Sequence, residues 1–450
     1  MRGFLASSIG VTCAAALALP LTLPASAAPS AAPSAAPAPA PATHSTSGAR
    51  SASTTAEPAL PGSTQSLPLA PRTSDRTFGA APEQGLTRGD VHRFSLVGVI
   101  WDDPDTALHG SVQVRTRATA TGTWSGWQDV DTHNDDHGAD PGTAERASGH
   151  VRGSTAPLWV GDSDGVDVRV RADRAATRTV GKPDEQPAQL PTGLHLELVD
   201  PGAADPPLAG APSTRNRAAP APEAATELPA LTKQATEREL VDLGHKAQPY
   251  IGPRPRIVTR HGWGADEKLR EKGFVYTKQV KAAFVHHTAT GNNYRCSQAP
   301  SVIRGIYRYH VKSSGWRDIG YNFLIDKCGT IYEGRAGGVA KAVLGAHTLG
   351  FNTNSTGIAV LGTFGSAKPS SAAVTAIARL TAWKLGLSGA NPRGKTYLKS
   401  GGGNLYRKGK NVRLNVISGH RDGFATECPG RQLYGKLGSA RSTSARYQGR

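Results

Sequence analysis

Near the end of this chain, Ile417-Ser418-Gly419-His420-Arg421-Asp422 is followed by Thr426-Glu427-Cys428-Pro429-Gly430. His420 and Cys428, with seven residues between them, offer an imidazole nitrogen and a thiolate, a donor pair that suits zinc. A third nitrogen donor stands far upstream in Phe284-Val285-His286-His287-Thr288. Two donors close together and one roughly a domain-length away is the pattern of a catalytic metal rather than of a zinc finger. Three protein ligands leave the fourth position open for water, which hydrolytic chemistry requires. Adjacent strand side chains point to opposite faces, so His286 and His287 do not both reach one ion easily. Taken alone, Gly419-His420-Arg421-Asp422 reads more simply as a surface turn. Cys428 within reach, and a histidine at a strand end, shift the balance towards metal.

The elements that must position these donors mix two periods. Ala282 to His287, Tyr321 to Ile325, Thr330 to Glu333 and Gly357 to Leu361 read as strands. Val302, Ile303, Ile306, Tyr307 and His310 recur at helical spacing, as do Val374, Ile377, Ala378, Thr381 and Leu385. The second helix follows Ser370 and Ser371, which can cap it, and Gly386 stops it. The pattern predicts an α/β domain over residues 251–440, a mixed central sheet flanked by helices, with a basic tail at 441–450.

Ahead of it, 76–202 reads as a small all-β, sandwich-like accessory domain. Its expected strands are Phe94 to Trp101, Val112 to Ala118, Leu158 to Val160, Val166 to Ala172 and Leu194 to Val199. Residues 28–75 are rich in Ala, Pro and Ser, bury too little apolar area to fold, and read as a disordered linker. A second linker is expected over 203–250.

The formal charge of +17 points to polyanionic surroundings, either nucleic acid or an anionic cell envelope. Residues 1–27 decide between them. Arg2 precedes an uncharged apolar run, and Ala25-Ser26-Ala27 offers a cleavage site, so a secretory signal peptide is expected. No other segment is long and apolar enough to span a bilayer. Removal of the signal leaves Cys296, Cys328 and Cys428. If Cys428 binds metal, the other two are free to pair in an oxidising compartment.

Three further signals read as bland. Gly161-Asp162-Ser163-Asp164-Gly165 fits a nucleophile-elbow formula, but a strand follows it where a helix is required, and Asp164-Gly165 suits a hairpin turn. Asp129, Asp131, Asp135, Asp136 and Asp140 lack EF-hand spacing and read as a solvated acidic loop rather than a calcium site. Arg393, Lys395, Lys399, Arg407, Lys408, Lys410 and Arg413, spaced by Gly401-Gly402-Gly403, read as a solvated glycine-rich loop; the alternative is contact with anionic wall polymers.

The ordered segments Ile257 to Ala265, Phe284 to Ala289, Gly315 to Ile325, Ile331 to Arg335, Gly345 to Thr348 and Gly419 to Gly430 resemble the peptidoglycan recognition protein family. Catalytic members of that family are zinc N-acetylmuramoyl-L-alanine amidases related to phage amidases. The resemblance covers about residues 255–440 and implies that His286, His420 and Cys428 hold Zn2+. It implies Tyr321 and Thr426 as catalytic residues, the tyrosine stabilising a tetrahedral oxyanion and the threonine orienting water or the reacting group. His347 and Thr348 would line the substrate groove. Cys428 carries most weight, because members that only recognise peptidoglycan typically lack this thiol. Ala336-Gly337-Gly338-Val339 departs from the family's usual groove residues, so no stem-peptide preference follows.

The expected activity is cleavage of the amide between the muramyl lactyl group and L-alanine of peptidoglycan, outside the cell or at its wall. The alternative is a non-catalytic peptidoglycan-binding protein. Nucleic acid is disfavoured as a partner by the export signal and the absence of any nucleic-acid-binding motif.

Overall fold

The alternation Val166-Asp167-Val168-Arg169-Val170 puts valines on one face and charges on the other, and this strand becomes the spine of the first domain. The computed structural model describes residues 62–72, 81–173, 188–203, 225–242 and 249–450. The expected signal peptide and most of both expected linkers lie outside these.

Strands β1 (Ser63–Pro68), β2 (Ala70–Pro71), β3 (Glu83–Arg88), β4 (Phe94–Trp101), β5 (Gly110–Ala118), β6 (Gln128–Val130), β7 (Gly153–Ser154), β8 (Leu158–Ala172) and β9 (His195–Asp200) form this domain. The sheet order is β1-β9-β4-β8-β3-β2, with β5 on β8 and β6, and β7 on β4. Val112 faces Val170 and Val114 faces Val168 across β5 and β8, and these side chains form a core with Leu86, Phe94 and Val97.

Two expectations are corrected here. Residues 63–71, assigned to the first linker, are strands, and β1 pairs with β9 from Ser63↔Asp200 to Pro68↔His195. An open sheet edge recruits backbone whatever its weak side-chain propensity. Gly161 to Gly165 is not a hairpin turn but lies inside β8. Gly161 sits at φ +75°, and the register against β4 and β5 shifts around Ser163, which marks a bulge.

The second domain is built on β10 (Glu227–Leu228), β11 (Ile257–Val258), β12 (Ala282–His287), β13 (Phe323–Ile325), β14 (Ile331–Glu333), β15 (Ser355–Val360) and, later in the chain, a strand at Ile417–Gly419. Between these last two, Lys395–Lys399 (β16) and Asn411–Asn415 (β17) form a hairpin, which makes Ile417–Gly419 β18. The sheet is mixed, in the order β10-β11-β14-β13-β15-β12-β18. Helices α1 (Lys233–Asp242), α2 (Ala299–Arg308), α3 (Ser371–Gly386), α4 (Arg431–Tyr434) and α5 (Leu437–Gln448) surround it. The second expected linker, 203–250, is corrected in part, since β10 pairs with β11 and α1 buries Thr236 and Leu240.

Alternation along the sheet splits its residues between two cores. Val285, Phe323, Ile325, Ile358 and Val360 pack with Ile377 and Leu380 of α3. On the opposite face, Leu324 and Ala359 pack with Val302, Ile303 and Ile306 of α2. Leu96, Ile100, Trp159 and Val199 of the first domain complete that second core, so the two domains share it. As expected, Ser370 caps α3, accepting from the amide of Ala373 at 3.0 Å.

The region expected as a basic tail is instead helical. Ala445 and Gln448 of α5 are buried, and Ser444 and Gln448 hydrogen-bond Thr381 and the Ala382 carbonyl of α3. The basic run is corrected only at its ends, which form β16 and β17; Gly401-Gly402-Gly403, Arg407, Lys408 and Lys410 lie in the loop between them, as expected. Leu398, Val412 and Leu414 of its hairpin pack with Phe284 and Phe351, while Lys395, Lys399 and Arg413 stay exposed. Cys296 and Cys328 form a disulfide.

Candidate metal centre

His286 lies near the end of β12, and strand alternation turns its side chain away from the α3 core that holds Val285. β18 runs parallel to β12 with Val285 opposite Gly419. His420, the first residue beyond β18, therefore falls beside His286. Their Nδ1 atoms lie 3.1 Å apart.

The following turn brings back Cys428. Arg421 donates its amide to the Cys428 carbonyl at 3.0 Å, and Asp422 accepts from Gly419 and from the Tyr434 hydroxyl. Cys428 Sγ ends 3.8 Å from His286 Nδ1. A tetrahedral ion with ordinary zinc bond lengths sets donor separations of about 3.3 Å for two nitrogens and about 3.6 Å for nitrogen and sulfur. The donor set fits zinc in type and in spacing.

The outer atoms of these rings are also held. His420 Nε2 lies 3.1 Å from the carbonyl oxygen of Asp136. A carbonyl only accepts, so Nε2 carries the proton and Nδ1 keeps its lone pair for a metal. His286 Nε2 faces His347 Nδ1 at 3.2 Å and Thr348 Oγ1 at 3.3 Å. His347 and Thr348, expected to line the substrate groove, are fully buried behind His286 and orient it. His287 points elsewhere, accepting from the amide of Phe364 at 3.3 Å.

Tyr321 packs beside His286, its ring tilted, with ring centroids 5.6 Å apart. Thr426 accepts from the amide of Cys428 at 3.1 Å, a turn contact that fixes the thiol's approach.

One donor went unread in the sequence. His137, from the first domain, joins His286, His420 and Cys428 in a group whose ligand atoms all lie within 4.8 Å of one another. Its Nδ1 bonds Asp136 Oδ1 at 2.6 Å, while its buried Nε2 has no hydrogen-bond partner. The acidic segment read as a solvated loop is thus corrected: Asp136 is 1 % exposed and Asp140 7 %, both packed against the second domain. The only sequence signal was a histidine beside two aspartates, which has no period and no spacing to its partners.

Burial governs the charge states. It pushes the imidazoles of His286 and His347 well down, and that of His420 down to about 3, so all three are neutral, the form that binds metal. Burial pushes the Cys428 thiol well up, with the Asp136 carboxylate adding to the rise; a bound cation reverses that balance. Burial also raises the Tyr321 phenol, which stays a hydrogen-bond donor. Asp136 is opposed by its own burial, yet contacts with His137, His420 and Thr426 hold it well below the usual carboxylate range.

A mixed-sheet domain thus brings two histidines and a cysteine together at the ends of adjacent parallel strands, a donor set that could hold a metal ion. The family model described as N-acetylmuramoyl-L-alanine amidase matches residues 276–431. A second, described as Rv3811 N-terminal galactose-binding domain-like, matches residues 47–192. Peptidoglycan-recognition protein SC2 of Drosophila simulans is 33 % identical over 183 residues, covering 40 % of this chain and 84 % of that protein. Peptidoglycan-recognition protein SA of Drosophila melanogaster is 35 % identical over 143 residues, covering 32 % of this chain and 67 % of that protein. Among solved structures, Drosophila PGRP-LB is 26 % identical, covering 41 % of this chain and 92 % of its own, with a TM-score of 0.33. The chain belongs to the peptidoglycan-recognition protein family, with an amidase-type domain following a galactose-binding-like one.

Proposed function

We propose that this protein is a secreted zinc hydrolase that cleaves the amide between the muramyl lactyl group of peptidoglycan and L-alanine of the stem peptide. The observation that carries this reading is the convergence of His286 Nδ1, His420 Nδ1 and Cys428 Sγ, with second-sphere partners that fix the His420 tautomer. Zinc bound by these residues would polarise the scissile carbonyl and acidify water.

The chain's own residues supply the rest. Tyr321, kept protonated by burial, donates to the oxygen that becomes negative as the carbonyl turns tetrahedral. Thr426 orients the reacting group beside Cys428, and His347 and Thr348 keep the His286 ring in place. The Cys296–Cys328 disulfide supports an oxidising compartment and hence export. Among the described residues no helix is long and apolar enough to cross a membrane. The exposed basic hairpin face of Lys395, Lys399 and Arg413 suits anionic wall polymers.

The test is product analysis of peptidoglycan digested, with and without chelator, by the wild-type chain and by a His137→Ala/Glu145→Ala chain; the latter loses two contacts, to the metal group and to Arg335, of the first-domain segment that packs on the centre. New L-alanine amino termini without new sugar reducing ends, lost with chelator and restored by zinc, are expected. Wall binding with no new termini from either chain sinks the amidase reading and leaves a recognition protein.

A further inference from the structure

Residues 131–145 leave the first domain after β6 and lie across the metal centre. Leu349 donates its amide to the Asp136 carbonyl at 3.0 Å, and Gly350 donates to Asp140 Oδ1 at 2.8 Å. Asn352 Nδ2 donates to Asp140 Oδ1 at 2.6 Å and to the Gly138 carbonyl at 2.9 Å. At the far end the Glu145 carboxylate accepts from Nη1 and Nη2 of Arg335, at 2.8 and 2.9 Å, and from the amide of Arg317 at 3.2 Å. What remains open beside Tyr321, Thr426 and Cys428 is a cavity of about 10 Å³, room for no more than one water.

We propose that His137 is a fourth metal ligand, delivered by the first domain, and that residues 131–145 hold the amidase site shut until they withdraw. The second half of this statement rests on the amidase reading; the first half does not.

Three observations converge on it. His137 Nε2 is buried, unpartnered and within ligand reach of the other three donors. Its Nδ1 faces the Asp136 carboxylate, the partner that metal-ligating histidines characteristically use to fix the tautomer with Nε2 free. The Asp136 carbonyl performs the same office for His420, so one dipeptide completes both coordination spheres. Four protein donors make a closed centre of the structural kind, whereas hydrolysis needs an open position. A muramyl peptide does not fit the space that remains.

The experiment uses the full chain loaded with cobalt(II), whose visible bands report coordination, titrated with acetohydroxamate as a small external ligand. The wild type is expected to show an intense four-coordinate spectrum that does not respond. His137→Ala is expected to respond, and to bind metal at least tenfold more weakly. A wild-type spectrum that shifts readily with acetohydroxamate overturns the proposal, and this arm decides the matter even if the variant fails to fold. In parallel, zinc-loaded His137→Ala/Glu145→Ala is expected to digest peptidoglycan at least tenfold faster than wild type. Equal digestion with equal spectra refutes closure and leaves the amidase reading standing. Differing spectra with no digestion by either chain retain His137 as ligand and refute the amidase.

Discussion

Replacing Glu145 by alanine tests how the 131–145 segment is held. The Glu145 and Arg335 side chains are 7 % and 4 % exposed, and they are joined by two charge-assisted hydrogen bonds. Removing one partner of a buried pair costs about 3–5 kcal/mol, because the other charge is left uncompensated. The lower end applies here, since Arg335 keeps the Ile319 carbonyl at 2.9 Å and lies near the Asp318 carbonyl. When the segment swings out, both groups regain water, so the loss falls on the docked state alone. About 3 kcal/mol corresponds to a shift of about a hundredfold towards the open state. Native-state hydrogen exchange reads this directly at the amides of Leu349 and Gly350, which donate to Asp136 and Asp140 across the junction. Both are expected to exchange about a hundredfold faster in Glu145→Ala, with the amides of β15 unchanged. Unaltered exchange at Leu349 and Gly350 in a folded variant would refute the reasoning, and the pair would be an incidental contact.

Four other outcomes are expected. Cys428→Ser weakens zinc binding at least tenfold in competition with a chelator and abolishes amidase activity; full activity in the metal-free variant sinks the mechanism. Leu96→Ala opens a cavity in the core shared by both domains and lowers unfolding free energy by about 2–5 kcal/mol in a single calorimetric transition; two separate transitions contradict the shared core. Ser370→Ala removes the α3 cap at a cost of about 1 kcal/mol by chemical denaturation, and a loss near zero denies the cap a role. Burial pushes the Lys384 ammonium down to about 7, so above that pH the folded protein has released a proton that the unfolded chain still holds. Stability contributed by this site therefore rises from about pH 7 towards the ordinary lysine range. Wild type should gain stability relative to Lys384→Met between pH 7 and 9, and parallel profiles contradict the assignment.

Much of the centre was legible because its signals are local. His420 and Cys428 are close in sequence, β12 announces itself by hydrophobicity, and strand parity keeps His286 and His287 from sharing one ion, with the family resemblance selecting the first. Ser370, the α3 periodicity and Gly386 likewise state their helix within one stretch of chain. The same local logic failed where backbone pairing decides. Ser63–Pro68 has linker-like composition but completes a sheet edge, and Gly161 to Gly165 is turn-like but is absorbed as a bulge. The end of the chain is basic in composition, yet its buried positions make it a helix against α3.

What the sequence carried by itself was the two-domain order, the main elements and the donor types of His420 and Cys428, because residue type and short-range period hold that information; the choice of His286 as their third partner rested on the family resemblance. What only the tertiary structure decided was the state of the site. Asp136 meets His420 across 284 residues, and His137 enters the centre from another domain. Side-chain periodicity reports which face of an element is buried, not what covers it. The covering segment is irregular, so its role arises only from the docking of one folded domain on the other.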